Sequence, residues 1–381
     1  MFHSEGDNGK NNRRISSHDS SHGFPCAMSM KIVVLAGGLS TERAVSLVTG
    51  SSVCRALREN GHRAILVDLF LGMETLPSDP ETLFDSPDGL CPDAKIEVTA
   101  PDIEAVKRSR KDQSGRLFGP NVLELCSLAD IVFLGLHGQD GEDGRVQATF
   151  DLLGIRYTGG GYLASGLAMD KSMTKRMMDS AGIPTAPWRN IPSYTEADIP
   201  ALVEELEVPC AVKVVNGGSS IGVALPDTKE ELEAALREML RYGSHIIVEK
   251  KIHGRELTVG VLGDRALPAV EIVPAIKEFD YTAKYQTGGA REICPAPITP
   301  EQQEEMGALA LKLHRTLGLE VYSRTDFLLD DNGKFWCLEV NSLPGMTAAS
   351  LVPKEAAAAG MTYNELCEEI VRLSYPIKRR G

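Results

Sequence analysis

The triplet Asp331-Asn332-Gly333 stands between two strand-like runs, EVYSRTDFLLD and KFWCLEVN. A turn of this composition closes a hairpin, so the two runs must pair antiparallel with each other. Period-two alternation puts Arg324 and Asp326 on one face of the first strand. It puts Glu339 and Asn341 on one face of the second, and the turn lets the two pairs lie across from each other. Three hard oxygen donors beside an arginine suit Mg²⁺, which takes oxygen ligands and commonly bridges substrate phosphates. The same residues suit a salt bridge, Arg324 with Asp326 or Glu339, on a solvated face. Alternation alone does not separate the two.

The rest of the chain alternates strands and helices from Met30 onward. KIVVLAG reads as a buried strand, Glu42 to Asn60 as a helix ended by Gly61, and RAILVDL and ADIVFLGLHG as further strands. This βαβ-like order predicts a parallel α/β domain over residues 30–158. Within it, residues 71–120 are rich in Pro, Asp and charge and are expected to be loops. A long helix is expected from Tyr162 to Ala181, stopped by Gly182 and Pro184. PCAVKVV, the glycine loop NGGSSIG and the short strand VAL can only make a hairpin. A helix from Lys229 to Tyr242 and the strand HIIVEKK complete a central α+β domain, 159–249. The last domain, 250–381, holds ELTVGVLG, ALPAVEIV, a charged loop, a helix from Pro300 to Leu317, and the hairpin.

Residues 1–29 are polar and lack the apolar core of a secretory signal, so they read as a disordered extension. No apolar run reaches the roughly 18 residues that span a bilayer. A net charge of −13 argues against bulk attraction to nucleic acid or anionic membrane, so any polyanion needs a local site. Eight scattered cysteines without a CxxC pair suit reduced cytosolic thiols, and the expected location is cytoplasmic.

Lys213 lies inside an apolar strand and is followed by Gly217, Gly218, Ser219, Ser220 and Gly222. Such a loop can close backbone N–H groups over phosphates while the lysine neutralises them. A flexible hairpin beside a snorkelling lysine reads equally simply. No GxxxxGK[ST] occurs, so this is not a Walker A loop. Gly218 to Gly222 also satisfies the GxSxG of hydrolases, but that elbow needs a helix next and a strand follows here. Gly159 to Ala164 satisfies GxGxxA, yet only the short IRYT precedes it, too little for a dinucleotide fold. GGLSTERAVS resembles a phosphate loop, but Glu42 at the helix start would repel phosphate and suit an ammonium ligand. Ser40 or Thr41 as a plain N-cap explains the same stretch. His137 ends a strand before GQDGEDG, where a histidine is often structural.

Together, GGLSTERAVS, LHGQDGEDG, YTGGGYLASGLAMDK, GSSIGV, FDYTAKY, YSRTDFLLD and LEVNSLPGMTAASLVP resemble the D-alanine–D-alanine ligase family of the ATP-grasp fold. The motifs occur in the family's order from about Lys31 to Leu373. The resemblance implies a three-domain enzyme, α/β at the N-terminus with two ATP-clamping α+β domains. It would join two D-alanines through an acylphosphate for peptidoglycan synthesis, releasing ADP and phosphate. Lys171 and Lys213 would hold the phosphates of ATP under the Gly217–Gly222 loop, with Lys284 approaching the γ-phosphate. Glu249, Lys250 and Ile252 would meet adenine, partly through backbone, and Glu256 the ribose. Asp326, Glu339 and Asn341 would carry two Mg²⁺ or Mn²⁺ ions. Glu42, with His137 nearby, would grip the first ammonium and position Ser219 and Tyr285. Arg324 and the Gly345 N–H would stabilise the oxyanion, and Arg324, Ser350 and Leu351 would receive the second substrate. A homodimer is the family expectation.

Departures from the family pattern are small: Val214 follows Lys213 where proline is usual, and Val340 and Ser342 replace Ala and Thr. A D-alanine–D-lactate or D-alanine–D-serine ligase shares the scaffold, but depsipeptide-forming relatives lack a tyrosine at the position of Tyr285. A non-catalytic nucleotide-binding protein is disfavoured because every metal and phosphate position is filled.

Overall fold

The structure, a computed structural model, describes residues 29–87, 89–91, 101–218, 222–274 and 290–379. Residues 1–28, Ser219, Ser220, Lys284 and Tyr285 therefore lie outside the described residues.

Three sheets carry the chain. The first is parallel, with β1 (Lys31–Ala36) between β2 (Arg63–Asp68) and β3 (Ile131–Leu134). Its strands are nearly continuous apolar runs because a parallel sheet is covered on both faces. The helix Arg43–Glu59 lies close upon it at Gly50. A Cβ there would come within 2.6 Å of the Ala36 Cβ, so only glycine allows that approach.

The second sheet is antiparallel, ordered β4 (Trp188–Ile191), β7 (Ile246–Lys250), β5 (Cys210–Val214), β6 (Val223–Ala224). The expected glycine-loop hairpin is present, with Lys213 opposite Val223. This unit buries its own core of Ile191, Val212, Leu232, Leu236, Ile246 and Val248.

The third sheet runs β11 (Ala290–Ile293), β10 (Val270–Pro274), β8 (Arg255–Leu262), β12 (Tyr322–Leu329), β13 (Phe335–Asn341), with β9 (Arg265–Ala266) paired to β8. Phe327 and Phe335, both fully buried, meet edge to face across the hairpin with ring centroids 6.0 Å apart. Burying each ring contributes about 1.5–3 kcal/mol, which pins this register.

Two expectations need correction. The long helix over 162–181 is two helices, Tyr162–Met169 and Lys171–Ala181. Asp170 takes an extended conformation and its side chain accepts the Met173 N–H at 2.9 Å, capping the second helix. The 71–120 stretch is not all loop: it holds a 3₁₀ turn, Pro80–Asp85, and a helix, Ile103–Ser109, capped by Asp102. That helix buries none of its residues, so no hydrophobic period marked it.

The 162–181 helices supply Ala164, Ala168 and Met178 to the core beneath β8, β12 and β13. The last helices, Leu351–Ala358 and Tyr363–Ser374, bury Val352, Ala356, Leu366, Cys367 and Ile370 with the first sheet's core. The chain's end is thus packed back on its beginning.

Candidate active site

One cleft is lined by strands of the third sheet and by loop and helix residues that adjoin the other two. From the hairpin come Arg324, Asp326, Glu339 and Asn341. The register sets Arg324 opposite Asn341 and Asp326 opposite Glu339, as alternation predicts. Asp326 is held from three sides. Arg324 donates to its two oxygens at 2.9 Å each, Thr258 of β8 donates at 2.6 Å, and the Asn341 amide donates at 3.3 Å. The salt bridge foreseen between Arg324 and Asp326 therefore exists, but in a cleft instead of on a solvated face. Burial opposes the charge of Arg324, yet Asp326, Glu339 and Glu355 hold its pKa above the usual guanidinium range.

The break at Asp170 gives Lys171 its place. Starting a new helix, it donates its ammonium to the Gly217 carbonyl and lies 3.5 Å from Glu339. Gly217 and Gly218 also line the cleft, and Gly222 closes the hairpin with φ +72°, its carbonyl accepting the Val214 N–H.

Behind them Glu249 is almost fully buried between two lysines. Its Oε1 lies 3.0 Å from Lys213, an ion pair without hydrogen-bond alignment. Its Oε2 accepts from Lys175 at 3.0 Å. Burial alone would raise the Glu249 pKa, but Lys213 and Lys175 outweigh it and hold it low. Burial likewise disfavours charge on Lys213, and Glu249 and Glu339 reverse the sign, leaving it raised. Lys175 also donates to Thr185, which donates to the Cys337 carbonyl of β13. The cluster joins the two antiparallel sheets. Both side-chain oxygens of Glu249 face lysines, and its backbone stands in the sheet between Trp188 and Ala211. Lys250 and Ile252 follow at the end of β7, outside the cleft lining, and Glu256 lines the cleft from β8.

The segments that follow β1 and β3 contribute Glu42, His137 and Glu142. Ser40 accepts the Glu42 N–H at 3.1 Å and donates to the His137 carbonyl at 2.6 Å, which fixes the start of the helix. The Glu42 carboxylate lies 3.8 Å from where a Cβ of Gly218 would stand, so the glycine loop reaches it. His137 is buried, its Nδ1 3.2 Å from the Leu343 carbonyl and its Nε2 2.9 Å from the Thr49 hydroxyl. Facing a carbonyl, Nδ1 must carry a proton. The ring thereby ties the first sheet to the segment after β13.

That segment, from Leu343 to Leu351, brings Gly345, Ser350 and Leu351 into the cleft. Ser350 Oγ accepts the Thr347 N–H at 3.1 Å, bending the loop back before the helix begins. A Cβ on Gly345 would lie 2.9 Å from that Oγ, so the backbone stays bare where it turns.

Sequence reasoning missed Glu142, Lys175 and Thr258. Glu142 accepts the Gly138 N–H, and its pKa is raised by burial and by Glu42, with His137 opposing. The motif LHGQDGEDG contained it, so a signal was present. Lys175 and Thr258 carried none. For a divalent cation the donor set is two carboxylates and a carboxamide meeting across one hairpin, chemistry that fits Mg²⁺. Among the described residues no group of three His, Cys, Asp or Glu side chains competes with it. None of the described helices is long and apolar enough to cross a membrane.

Known proteins of similar sequence and structure agree with one another. The family models described as "D-ala D-ala ligase N-terminus" and "D-ala D-ala ligase C-terminus" match residues 31–160 and 177–372. The D-alanine–D-alanine ligase of Pediococcus pentosaceus is 43% identical over 90% of this chain and 97% of its own. That of Geobacter sulfurreducens is 38% identical over 92% and 96%. The Bacillus anthracis ligase, solved in complex with ATP, superposes with a TM-score of 0.69 at 29% identity, covering 93% of this chain and 99% of its own. The chain belongs to the D-alanine–D-alanine ligase family and has its ATP-grasp fold.

Proposed function

We infer that the protein joins two D-alanines into D-alanyl-D-alanine at the expense of ATP, as a cytoplasmic enzyme of peptidoglycan precursor synthesis. The observation that carries this reading is the meeting, in one cleft, of Glu42, Lys171, Arg324, Glu339 and Ser350 from separate parts of the chain. ATP phosphorylates the carboxylate of the donor D-alanine. The amine of the acceptor D-alanine attacks the acylphosphate, and phosphate leaves.

The residues divide this work by position. Glu42, with His137 and Glu142 behind it, offers negative charge to the donor's ammonium. Lys171 and Lys213 neutralise phosphate beside the Gly217–Gly222 loop, with Ser219, Ser220 and Lys284 completing the phosphate cage. Glu249, Lys250 and Ile252 receive adenine, partly through backbone, and Glu256 the ribose. Asp326, Glu339 and Asn341 would hold two Mg²⁺ or Mn²⁺ ions, whose charge offsets that of the phosphates. Arg324 and the Gly345 N–H face the developing oxyanion, and Arg324, Ser350 and Leu351 receive the acceptor's carboxylate. In this division the N-terminal unit (30–158) holds the donor, and ATP lies between the central (159–249) and C-terminal (250–381) units.

The assay that tests this offers D-alanine, D-serine and D-lactate in competition, with ATP and Mg²⁺, and resolves products by chromatography. The expected product is D-alanyl-D-alanine with equimolar ADP and phosphate; Tyr285 favours the amine acceptors over D-lactate. ATP turnover indifferent to D-alanine, without dipeptide, sinks the reading.

A homodimer is proposed through the helices Arg145–Leu153 and Tyr162–Met169. They leave Leu152 73% and Leu163 62% exposed, with Leu153 and Tyr162 beside them about half exposed. Clustered exposed apolar side chains of this kind favour association. Sedimentation should give twice the chain mass, and Leu163→Glu should shift it toward one chain. A monomeric parent protein contradicts the dimer.

A further inference from the structure

The helix Leu351–Ala358 sends one ionisable side chain into the interior. Glu355 is fully buried, and its Oε2 accepts the backbone N–H of Gly260 at 2.7 Å. Its Oε1 has no hydrogen-bond partner among the described residues. A carboxylate buried with one oxygen unsatisfied opposes folding, so core filling does not explain a glutamate here. Strand β8 is shaped to admit it: a Cβ on Gly260 would stand 2.3 Å from Oε2. Gly260 in turn is the register partner of Arg324 on β12. Burial pushes the Glu355 carboxyl up to about 8, and the Arg324 guanidinium opposes the rise, so the two groups feel each other. The same helix begins at Leu351, directly after Ser350, and both line the cleft that Glu355 itself does not reach.

One side chain thus fastens the segment bearing Ser350 and Leu351 to the strand beside Arg324. We propose that Glu355 is a positioning residue for the acceptor half of the cleft, setting the distance between Arg324 and the Ser350–Leu351 turn by its grip on the Gly260 backbone. The proposal rests on the reading that these three residues receive the acceptor D-alanine. Its physical basis is that a reacting pair misplaced by about 1 Å can lose about a hundredfold in rate.

The test is steady-state kinetics on the full chain, resolving KM for ATP, donor D-alanine and acceptor D-alanine. Glu355→Ala is expected to raise the acceptor KM about tenfold and lower kcat, leaving the other two KM values within about twofold. Glu355→Gln keeps an oxygen for the Gly260 N–H and should restore most of the loss. Gly260→Ala, whose methyl group displaces the carboxylate, should reproduce the Glu355→Ala pattern, and it decides the matter alone if Glu355→Ala does not fold. A lowered Tm with all three KM values unchanged, or an equal rise in all three, overturns the proposal. Ser350→Ala runs beside them. If it raises the acceptor KM while Glu355→Ala and Gly260→Ala do not, the positioning role fails and the acceptor assignment stands. If Ser350→Ala leaves that KM unchanged, the acceptor assignment itself fails.

Discussion

Glu339→Gln is expected to lower kcat by about a hundredfold or more, the scale on which one preorganised group acts on a transition state. The substitution keeps the shape of the side chain and removes its charge. In the third sheet Glu339 stands opposite Asp326, so the loss falls on the donor set that suits a divalent cation. The concentration of Mg²⁺ giving half-maximal rate should rise with it. Folding should scarcely change, because the side chain is 36% exposed and its ion-pair partner Lys171 is 3.5 Å away. A partly exposed pair of this kind contributes at most about 1 kcal/mol. The measurement is a Mg²⁺ titration of initial rates beside a thermal melt. Wild-type kcat with an unshifted titration would remove Glu339 from the metal site.

The pairing of the hairpin was legible because Asp331-Asn332-Gly333 leaves the chain almost no other course. What alternation could not explain is how one strand buries Phe335 and Cys337 and yet turns Glu339 and Asn341 to the cleft. All four are odd-numbered, and strict alternation puts them on one face. The structure resolves this with a shift of register: Asp326 pairs with Glu339, but Phe327 pairs with Cys337, leaving Leu338 unpaired. Such a bulge reverses the facing of everything beyond it, and burial moves from Phe335 and Cys337 to Val340. A bulge depends on the partner strand, so the sequence of one strand does not announce it. It is the device that lets an apolar strand end in polar side chains lining the cleft.

Other misses have the same origin in tertiary context. With no proline between 162 and 181 the two helices read as one, although Asp before a polar turn is an ordinary N-cap. That break matters for chemistry, since it places Lys171 at a helix start near Gly217 and Glu339. Lys175, one turn further on, looked like any exposed helical lysine. Only the sheets packed around it make it a buried partner of Glu249. Local pattern therefore located most of the residues that line the cleft, and it missed those that hold the lining in place.

Arg324→Lys is the sharper test of the chemical step. Both side chains are cationic, so Asp326 is not left as a buried unpaired charge. Arg324→Ala would leave it so, at a cost of about 3–5 kcal/mol that confuses folding with catalysis. What lysine loses is the planar fork, which here donates to both oxygens of Asp326 at 2.9 Å. Holding the guanidinium rigid against Asp326 aims it at one place in the cleft, and Glu355 holds the backbone of Gly260, the register partner of Arg324 on β8. An ammonium on a flexible stem must be ordered anew at each turnover. The expected result is a fall in kcat of about 10²- to 10³-fold, the range for losing a donor to a developing oxyanion. KM for ATP should stay near the parent value, because the proposed nucleotide site, Lys171, Lys213 and the glycine loop, lies elsewhere. Equal losses in kcat and ATP affinity would place Arg324 among the nucleotide ligands, and unchanged kinetics would take it out of the site. A fall in kcat alone is what a group acting on the reacting carbonyl produces.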